Sequence, residues 1–273
     1  MYPILFKIGP FTIYSYGLMV AIGFLVASYV LSLEIKRKQL DASLVNTITA
    51  ITMVAGIVGS KLLYVIENWR YTVLAPVEMI FSPSGLTYYG GFILATLAVY
   101  VFARIKRLSF FVLADAIVPT LMLGYGIARL GCHFSGDGDY GYPTDLPWGT
   151  NYENGTYPPS SAFRDFPEIR NSFPDGIIPD NLPCHPTPVY EFLICALLFF
   201  VMWKMRSKIS ASGKMFALYL LLAGAERFMI EFIRINERIY FGLSEAQLIS
   251  AGIFILGILF WNRNTDFNNH PVS

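Results

Sequence analysis

The chain has 273 residues, of which 55% are hydrophobic and 14% are charged, and its mean hydropathy is +0.51. A soluble domain usually contains about 25% charged residues. The composition therefore excludes a disordered chain, a coiled coil and an ordinary cytosolic enzyme, and it indicates a membrane protein. The formal net charge of +1 gives no sign of a nucleic-acid partner. Three cysteines without a CxxC pair predict neither a zinc site nor a dense disulfide framework.

Seven stretches of the chain meet the requirement for a membrane-spanning helix, which is about 17–25 mainly apolar residues. They cover residues 15–34, 44–66, 85–103, 111–130, 187–203, 214–235 and 244–262. We therefore predict an all-α, polytopic membrane helix bundle with about seven transmembrane helices, in which residues 1–273 form a single integral membrane domain. Residues 131–186, the long connection between the fourth and fifth spans, are rich in Gly, Pro, Asp, Asn and Tyr. They are predicted to form a small irregular cap outside the membrane.

The distribution of basic residues predicts how the chain crosses the membrane. Eleven Lys and Arg residues flank the predicted spans on one side and five on the other. Because cytoplasmic loops carry an excess of basic residues, we expect the N-terminus outside and the C-terminus in the cytoplasm. The basic cluster Lys36, Arg37 and Lys38 follows the first apolar stretch instead of preceding it. That order is the reverse of a cleavable signal peptide, so the first span is expected to be retained.

Ionisable side chains within the predicted spans are candidates for function, because a charge in a membrane is costly. They are Lys61, Arg129, Glu191, Glu226, Arg227, Glu231 and Arg234. With a helical rise of about 1.5 Å per residue, the orientation above places all seven in the outer half of the bilayer. Tyr16 and Tyr89, near the starts of two spans, fall at the same depth. The inner half is expected to be comparatively free of charge, which argues against a transporter or channel with a polar path through both leaflets.

Buried arginines at this depth suit a phosphate group, which a planar guanidinium binds in bidentate fashion. A phosphate in the outer leaflet indicates a phospholipid head group, and neighbouring carboxylates and tyrosines are candidates to hold a glycerol or accept a proton. The alternative is a purely structural network, since Arg227 and Glu231 have the i,i+4 spacing of a helix-internal ion pair. The sequence contains no Ser-His-Asp order, HExxH motif or P-loop that would indicate a hydrolase, metalloprotease or NTPase.

Six segments resemble the bacterial prolipoprotein diacylglyceryl transferase family, in the family's order and over essentially the whole chain. They are YGLMVAIGF at 16–24, GSKLLYV at 59–65, GLTYYGGF at 85–92, ARLGCHFSGDGDYG at 128–141, HPTPVYEFL at 185–193 and ERFMIEFIR at 226–234. The resemblance implies transfer of a diacylglyceryl group from phosphatidylglycerol to the lipobox cysteine of a prolipoprotein signal peptide. The product is a thioether, and glycerol phosphate is released.

The resemblance also implies where the protein works. It implies a multi-pass enzyme of the bacterial cytoplasmic (inner) membrane, in contact with the lipid bilayer, with its active site facing the outer leaflet. No cofactor and no metal are implied. The alternatives that the sequence leaves open are a non-catalytic or different-acceptor lipid-binding paralogue and, as a further class, a small-solute transporter.

Matching motifs carry the family's residue roles to this chain. Arg129 and Arg227 are implied to bind the lipid phosphate, and Tyr16 and Glu231 are implied to take part in catalysis. The residues implied to support the site are Gly131, Gly141, His185, Tyr190 and Glu191.

The chain departs from the family pattern at positions that bear on the proton acceptor. Cys132 stands where the family has an asparagine, and Tyr89, kept as a candidate catalytic residue, stands where a histidine is frequent. One extra residue before Gly141 places the family's acidic position on either Asp139 or Asp137. A neutral tyrosine, with a pKa near 10, is a poor base at pH 7.

The identity of the base is therefore open at this stage. Glu231 is favoured because it lies one helical turn from Arg227. The other candidates are Asp137, Asp139, His133, His185 and water.

Two cysteines bracket the long connection, Cys132 at its start and Cys184 near its end. On the outer side of the membrane, where disulfides form readily, these two cysteines could form one. By closing the loop between them, the disulfide would stabilise the folded protein by about 4 kcal/mol in the chain-entropy model. The alternative is that Cys132 points into the site with a free thiol.

Overall fold

The computed structural model describes residues 1–9, 11–82, 85, 87–238 and 241–263. Its helices are α1 (Ser15–Arg37), α2 (Ser43–Glu67), α3 (Trp69–Leu74), α4 (Pro76–Phe81), α5 (Tyr88–Ile105), α6 (Phe110–Ser135), α7 (Pro159–Ala162), α8 (Pro167–Arg170), α9 (Thr187–Met205), α10 (Lys214–Ile230) and α11 (Glu245–Asn262). Its strands are β1 (Ile4–Ile8), β2 (Phe11–Tyr14), β3 (Thr150–Asn151) and β4 (Pro183–Cys184).

Within the described residues, six helices are long and apolar enough to cross a membrane, namely α1, α2, α5, α6, α9 and α11. The predicted polytopic helical membrane fold is confirmed. The sixth predicted span, 214–235, forms α10, which has 17 residues, one fewer than the shortest of these six helices. It ends at Ile230 because the chain turns over Glu231–Ile233.

The N-terminal residues form a β-hairpin that the all-α prediction did not include. Strands β1 and β2 pair antiparallel, with Lys7 opposite Thr12 and Ile8 opposite Phe11. Their aromatic and β-branched side chains favour an extended backbone. Most of them are exposed, Phe11 at 73% and Ile8 at 64%, so no buried core was available to signal the hairpin in advance.

The described chain divides into two compact units. One contains Ser28–Ala116, and in it α2 packs closely on α5. Glycines permit this contact: a Cβ built on Gly59 would lie 2.3 Å from the carbonyl oxygen of Gly90, and one on Gly90 would lie as close to the oxygen of Gly59. Such small residues allow helix backbones to approach within a membrane.

The other unit contains Met1–Ala27 and the described chain from Ile117 onward. Helices α10 and α11 pack together through Gly224 and Gly257. Helix α6 continues to Ser135, so the irregular part of the long connection begins after that residue. The long connection has a buried core of its own, in which Tyr140 and Tyr152 stack with ring centroids 4.2 Å apart. The other members of this core are Ala162, Phe163, Ile169, Ile178 and Cys184.

Candidate active site

The ends of three helices bring a cluster of opposite charges together in the unit that contains Met1–Ala27 and the chain from Ile117 onward. Helix α6 contributes an arginine from its last two turns, α9 a glutamate from its second turn, and the end of α10 two arginines and a glutamate. An aspartate from the start of the long connection completes the cluster. Its members are Arg129, Asp139, Glu191, Arg227, Glu231 and Arg234, joined by ion pairs.

Glu191 is the centre of this arginine–carboxylate cluster. Its side chain is completely buried, and it accepts hydrogen bonds from all three guanidinium groups. The donors are Arg129 through Nε, Arg227 through Nη1 at 2.9 Å, and Arg234 through Nη1 at 3.3 Å. The hydroxyl of Tyr125 donates a further bond at 3.4 Å. A buried carboxylate with this many donors is fixed in place, so Glu191 sets the spacing of the three arginines.

Glu231 is the second buried carboxylate of the cluster. Its side chain is fully buried and lies 3.1 Å from Arg227 Nη2. The hydroxyl of Ser244 donates to its Oε1 at 2.9 Å, and the side-chain amide of Asn236 donates to the same oxygen. Glu231 therefore has neutral as well as charged partners, and its burial closes it to a substrate.

Asp139 joins Arg129 and Arg234 from the open side. Its two carboxylate oxygens accept from Arg129 Nη1 and from Arg234 Nη2, and its side chain is 30% exposed. Partial burial alone would raise the pKa of Asp139, but the neighbouring arginines outweigh it and hold the pKa below the ordinary value of an aspartate. Asp139 thus stays ionised at physiological pH.

The cluster offers donors to an anion. Arg129 Nη2 is buried and has no hydrogen-bond partner among the described residues. The side chain of Arg227 is 24% exposed, against 12% for Arg129 and 6% for Arg234. An orphaned guanidinium nitrogen beside a partly exposed arginine suits a phosphate or carboxylate ligand.

Cys132 and Asp137 lie on the flank of the cluster. The sulfur of Cys132 accepts from Arg129 Nη1 at 3.5 Å, and it lies within 4.8 Å of a carboxylate oxygen of Asp137. The Asp137 side chain is exposed, yet the protein packed beside its carboxylate removes hydration, and the negative charge of Asp139 adds to this effect. Both raise the pKa of Asp137 above its ordinary value.

The cysteines answer the disulfide question. Cys132 and Cys184 are both buried free thiols, so the expected alternative, in which Cys132 points into the site, is the one observed. Ligand atoms of Cys132, Asp137 and Asp139 lie within 4.8 Å of one another, a spacing that a metal ion could use. However, both oxygens of Asp139 are already bonded to guanidinium groups, so this corner of the cluster fits a cation poorly.

Tyr16 and Gly131 are brought together where α1 meets α6. A Cβ on Gly131 would lie 3.2 Å from both Cα and O of Tyr16, so the glycine permits a close approach of the two backbones. Tyr16, 43% exposed, is near enough to interact electrostatically with Arg129, Asp137 and Asp139. Both residues therefore lie near the edge of the cluster, and their roles stay predictions.

Gly141, His185 and Tyr190 attach the long connection to α9 and α10. Gly141 donates its N–H to the oxygen of His185 at 2.9 Å and forms a β-bridge with Arg234. The hydroxyl of Tyr190 accepts from Trp148 Nε1 at 2.8 Å and lies 3.3 Å from His185 Nδ1. These bonds join the long connection to α9 and to the segment after α10, and the supporting role of the three residues stays a prediction.

Gly141→Ala should destabilise the protein by about 1–3 kcal/mol, the usual range for overpacking. A Cβ at this position would lie 2.6 Å from the carbonyl oxygen of Ile233, which is backbone and has little freedom to move. The measurement is the melting temperature of the detergent-solubilised protein. Gly252→Ala is the matched control, because nothing lies within 4 Å of the added Cβ and alanine favours the helix. Equal melting temperatures for the two variants would contradict the prediction.

Two residues that the sequence placed at the depth of the site, Lys61 and Tyr89, belong to the unit that contains Ser28–Ala116. Tyr89 is the second residue of α5, and its ring packs edge-on against Tyr88 with centroids 5.6 Å apart. Lys61 donates from Nζ to the backbone oxygen and the hydroxyl of Ser82, at 2.9 and 3.0 Å. The catalytic role of Tyr89 stays a prediction.

One member of the arginine–carboxylate cluster was not predicted as a site residue. Arg234 was identified only as an ionisable residue, although its bonds to Asp139 and Glu191 make it a full member of the cluster. The expectation that the inner ends of the spans lack buried charge is wrong. Glu34, 1% exposed, and Asp115, 6% exposed, are buried near the opposite ends of α1 and α6. Glu34 is paired with Arg37 at 2.8 Å, a contact that a search for single charges within spans does not reveal.

Comparisons with known proteins agree with one another. A family model described as prolipoprotein diacylglyceryl transferase matches residues 3–263. A protein of Clostridium tetani named phosphatidylglycerol–prolipoprotein diacylglyceryl transferase is 31% identical over 264 residues, which cover 96% of this chain and 97% of that relative. Proteins of the same name from Dehalococcoides mccartyi and Mannheimia succiniciproducens are 31% and 30% identical, over 95% and 94% of this chain and 92% and 91% of their own lengths. The chain therefore belongs to the prolipoprotein diacylglyceryl transferase family.

Proposed function

We propose that the protein transfers the diacylglyceryl group of phosphatidylglycerol to the thiol of the lipobox cysteine in a prolipoprotein signal peptide. The observation that carries this proposal is the cluster of three arginines, joined by ion pairs to buried carboxylates. Among the described residues, one buried guanidinium nitrogen has no hydrogen-bond partner, and the exposed carboxylate of Asp137 lies near the cluster. The arginines can bind the negatively charged phosphodiester of the lipid. The carboxylate can accept the proton of the substrate thiol. The family relatives carry the name of this activity.

The reaction assigns a separate task to each side of the cluster. The substrate sulfur attacks the glyceryl carbon that bears the phosphate, a C–S bond forms, and the C–O bond to the phosphate breaks. The bonding electrons leave with glycerol phosphate, whose new negative charge Arg129 and Arg227 stabilise. The thiol proton goes to the Asp137 carboxylate. Glu191 and Glu231 position the arginines, and the hydroxyl of Tyr16 lies at the edge of the same site.

Among the three predicted carboxylate bases, Asp137 fits the role best. Glu231, which the sequence favoured, is fully buried and bonded to Ser244 and Arg227. Asp139 is bonded to two arginines, and its lowered pKa makes it a weak base. Asp137 is exposed and has a raised pKa, so it is both reachable and basic enough to accept a proton.

The membrane arrangement is part of the proposal. The whole chain is one integral domain of the bacterial cytoplasmic membrane, with the N-terminus outside and the C-terminus in the cytoplasm. The long connection is then an extracytoplasmic cap, and the arginine–carboxylate cluster faces the outer leaflet, where a signal peptide presents its cysteine. The excess of basic residues on one side of the spans supports this orientation.

The test is transfer by the purified protein in vesicles that contain phosphatidylglycerol, with a lipobox peptide as acceptor. We expect the mass of the peptide to increase by one diacylglyceryl group. One molecule of glycerol phosphate should be released for each peptide modified. A peptide with serine in place of the cysteine should give no product. If the protein is folded and binds phosphatidylglycerol but forms no product, the result would instead support a non-catalytic lipid-binding paralogue. Complementation of a transferase-depleted bacterium, measured by lipidation of its lipoproteins, distinguishes the same two possibilities in cells.

A further inference from the structure

The charges of the arginine–carboxylate cluster already balance before any substrate binds. Three arginines are joined by ion pairs to three carboxylates, Asp139, Glu191 and Glu231. An additional anion in a poorly hydrated site needs a positive charge that is free to pair with it. A phosphate can therefore bind well only if one carboxylate gives up its arginines.

Asp139 is the carboxylate that can leave. Its side chain is 30% exposed, whereas those of Glu191 and Glu231 are completely buried. Glu231 also accepts hydrogen bonds from the neutral side chains of Ser244 and Asn236. In the described structure, the carboxylate of Asp139 accepts side-chain hydrogen bonds only from Arg129 and Arg234. Moving Asp139 toward solvent breaks two bonds and leaves the rest of the cluster in place.

The geometry of Asp139 imitates the ligand that it would yield to. Two oxygens of one anionic group contact two guanidinium groups, which is how two oxygens of a phosphate would contact them. The backbone oxygen of Asp139 accepts from the Thr187 hydroxyl at 2.6 Å, so the main chain is held. A rotation of the side chain is then sufficient to vacate the position.

We propose that Asp139 is an internal competitor for the phosphate site, which yields Arg129 and Arg234 to the lipid and afterwards returns to displace glycerol phosphate. The inference rests on the proposed transfer reaction. A phosphodiester carries one negative charge, whereas a phosphomonoester carries about 1.5–2 at pH 7, so the arginines alone would hold the product more tightly than the substrate. Return of the Asp139 carboxylate opposes that retention and makes Asp139 a positioning residue that favours turnover.

Asp139→Asn should bind glycerol phosphate and inorganic phosphate on the order of tenfold more tightly than the unmodified protein, since an internal competitor lowers affinity by the fraction of sites it occupies. Equilibrium binding to the detergent-solubilised full chain measures this. Asp145→Asn is the matched control, because Asp145 lies exposed in the long connection and pairs with none of the three arginines in the described structure. Its affinity should not change. Equal or weaker binding by Asp139→Asn would overturn the proposal.

The melting temperature, measured with and without glycerol phosphate, tests the proposal even if the variant is less stable. Removing Asp139 leaves two arginines less well paired, so Asp139→Asn should melt at a lower temperature and gain more from added glycerol phosphate than the unmodified protein does. Asp139→Glu, which keeps a competing carboxylate, should show a smaller gain than Asp139→Asn. An equal gain in all three proteins would contradict the inference.

The two hypotheses fail in different ways. Phosphate binding is measured without any acceptor peptide, so a protein that transfers nothing still tests the competitor role of Asp139. If transfer proceeds, glycerol phosphate should inhibit Asp139→Asn at lower concentrations than it inhibits the unmodified protein. Transfer with unchanged product inhibition would leave the proposed function standing and remove the role of Asp139.

Discussion

Arg129→Ala and Arg227→Ala should each lower diacylglyceryl transfer by about a hundredfold or more, the usual cost of removing a group that stabilises charge in a transition state. Arg129 contributes Nη2, which has no hydrogen-bond partner among the described residues, and Arg227 has the most exposed side chain of the three arginines. Their lysine variants should recover part of the activity, because lysine keeps the charge but lacks the planar fork. The measurement is the rate of peptide modification in vesicles.

The control for this experiment must separate chemistry from folding. Breaking a buried ion pair costs about 3–5 kcal/mol, and both alanine variants leave Glu191 with one fewer donor. Membrane levels and melting temperatures therefore accompany each rate. Arg164→Ala, in the long connection and outside every motif, should keep normal activity. Normal transfer by both cluster variants, at normal membrane levels, would rule out a phosphate clamp at these residues.

The helices could be predicted from the sequence because long apolar runs have few alternative structures in a membrane. The predicted spans agree with the observed helices to within a few residues except at polar ends. Helix α6 continues to Ser135, beyond the predicted end at 130, since hydropathy marks the apolar part of a helix and not its last hydrogen bond. The hairpin of β1 and β2 was missed for the opposite reason: its pairing is local, and neither strand has a buried face.

The candidate site was predicted in outline but not in its connections. The motifs identified Arg129, Glu191 and Arg227, yet no spacing rule shows that Glu191 accepts bonds from three arginines. One arginine lies in α6, one in α10 and one beyond the end of α10. The extra residue in segment 128–141 left Asp137 and Asp139 equivalent in sequence. Only the fold distinguishes them, because the β-bridge of Gly141 with Arg234 directs Asp139 toward the arginines.

Asp137→Asn should lower transfer by about 10²–10⁴-fold at neutral pH, the usual contribution of a general base. A carboxylate oxygen of Asp137 already lies within 4.8 Å of the Cys132 sulfur, so there is room for a sulfur near this carboxylate. Its pKa is raised first by loss of hydration and then by the charge of Asp139, and a raised pKa makes a carboxylate a stronger base. Asparagine keeps the size of the side chain but accepts no proton.

The pH dependence of the rate tests the assignment independently of any loss of stability. A base must be deprotonated to act, so kcat/KM should rise with pH as Asp137 ionises, above the ordinary aspartate pKa of about 3.9. In Asp137→Asn that rise should disappear. The remaining activity should increase toward the pKa of a free thiol, about 8.5, because the peptide then supplies its own thiolate. The defect of the variant should therefore shrink at high pH.

Tyr89→Phe provides the comparison that separates a carboxylate base from the tyrosine. If Asp137 accepts the proton, Tyr89→Phe should keep substantial activity and the pH profile of the unmodified enzyme, because a neutral phenol with a pKa near 10 contributes little as a base. Glu231→Gln should lose activity through displacement of Arg227, with its pH profile unchanged. A loss in Tyr89→Phe as large as that in Asp137→Asn, or an unaltered pH profile in Asp137→Asn, would remove Asp137 from the role of base.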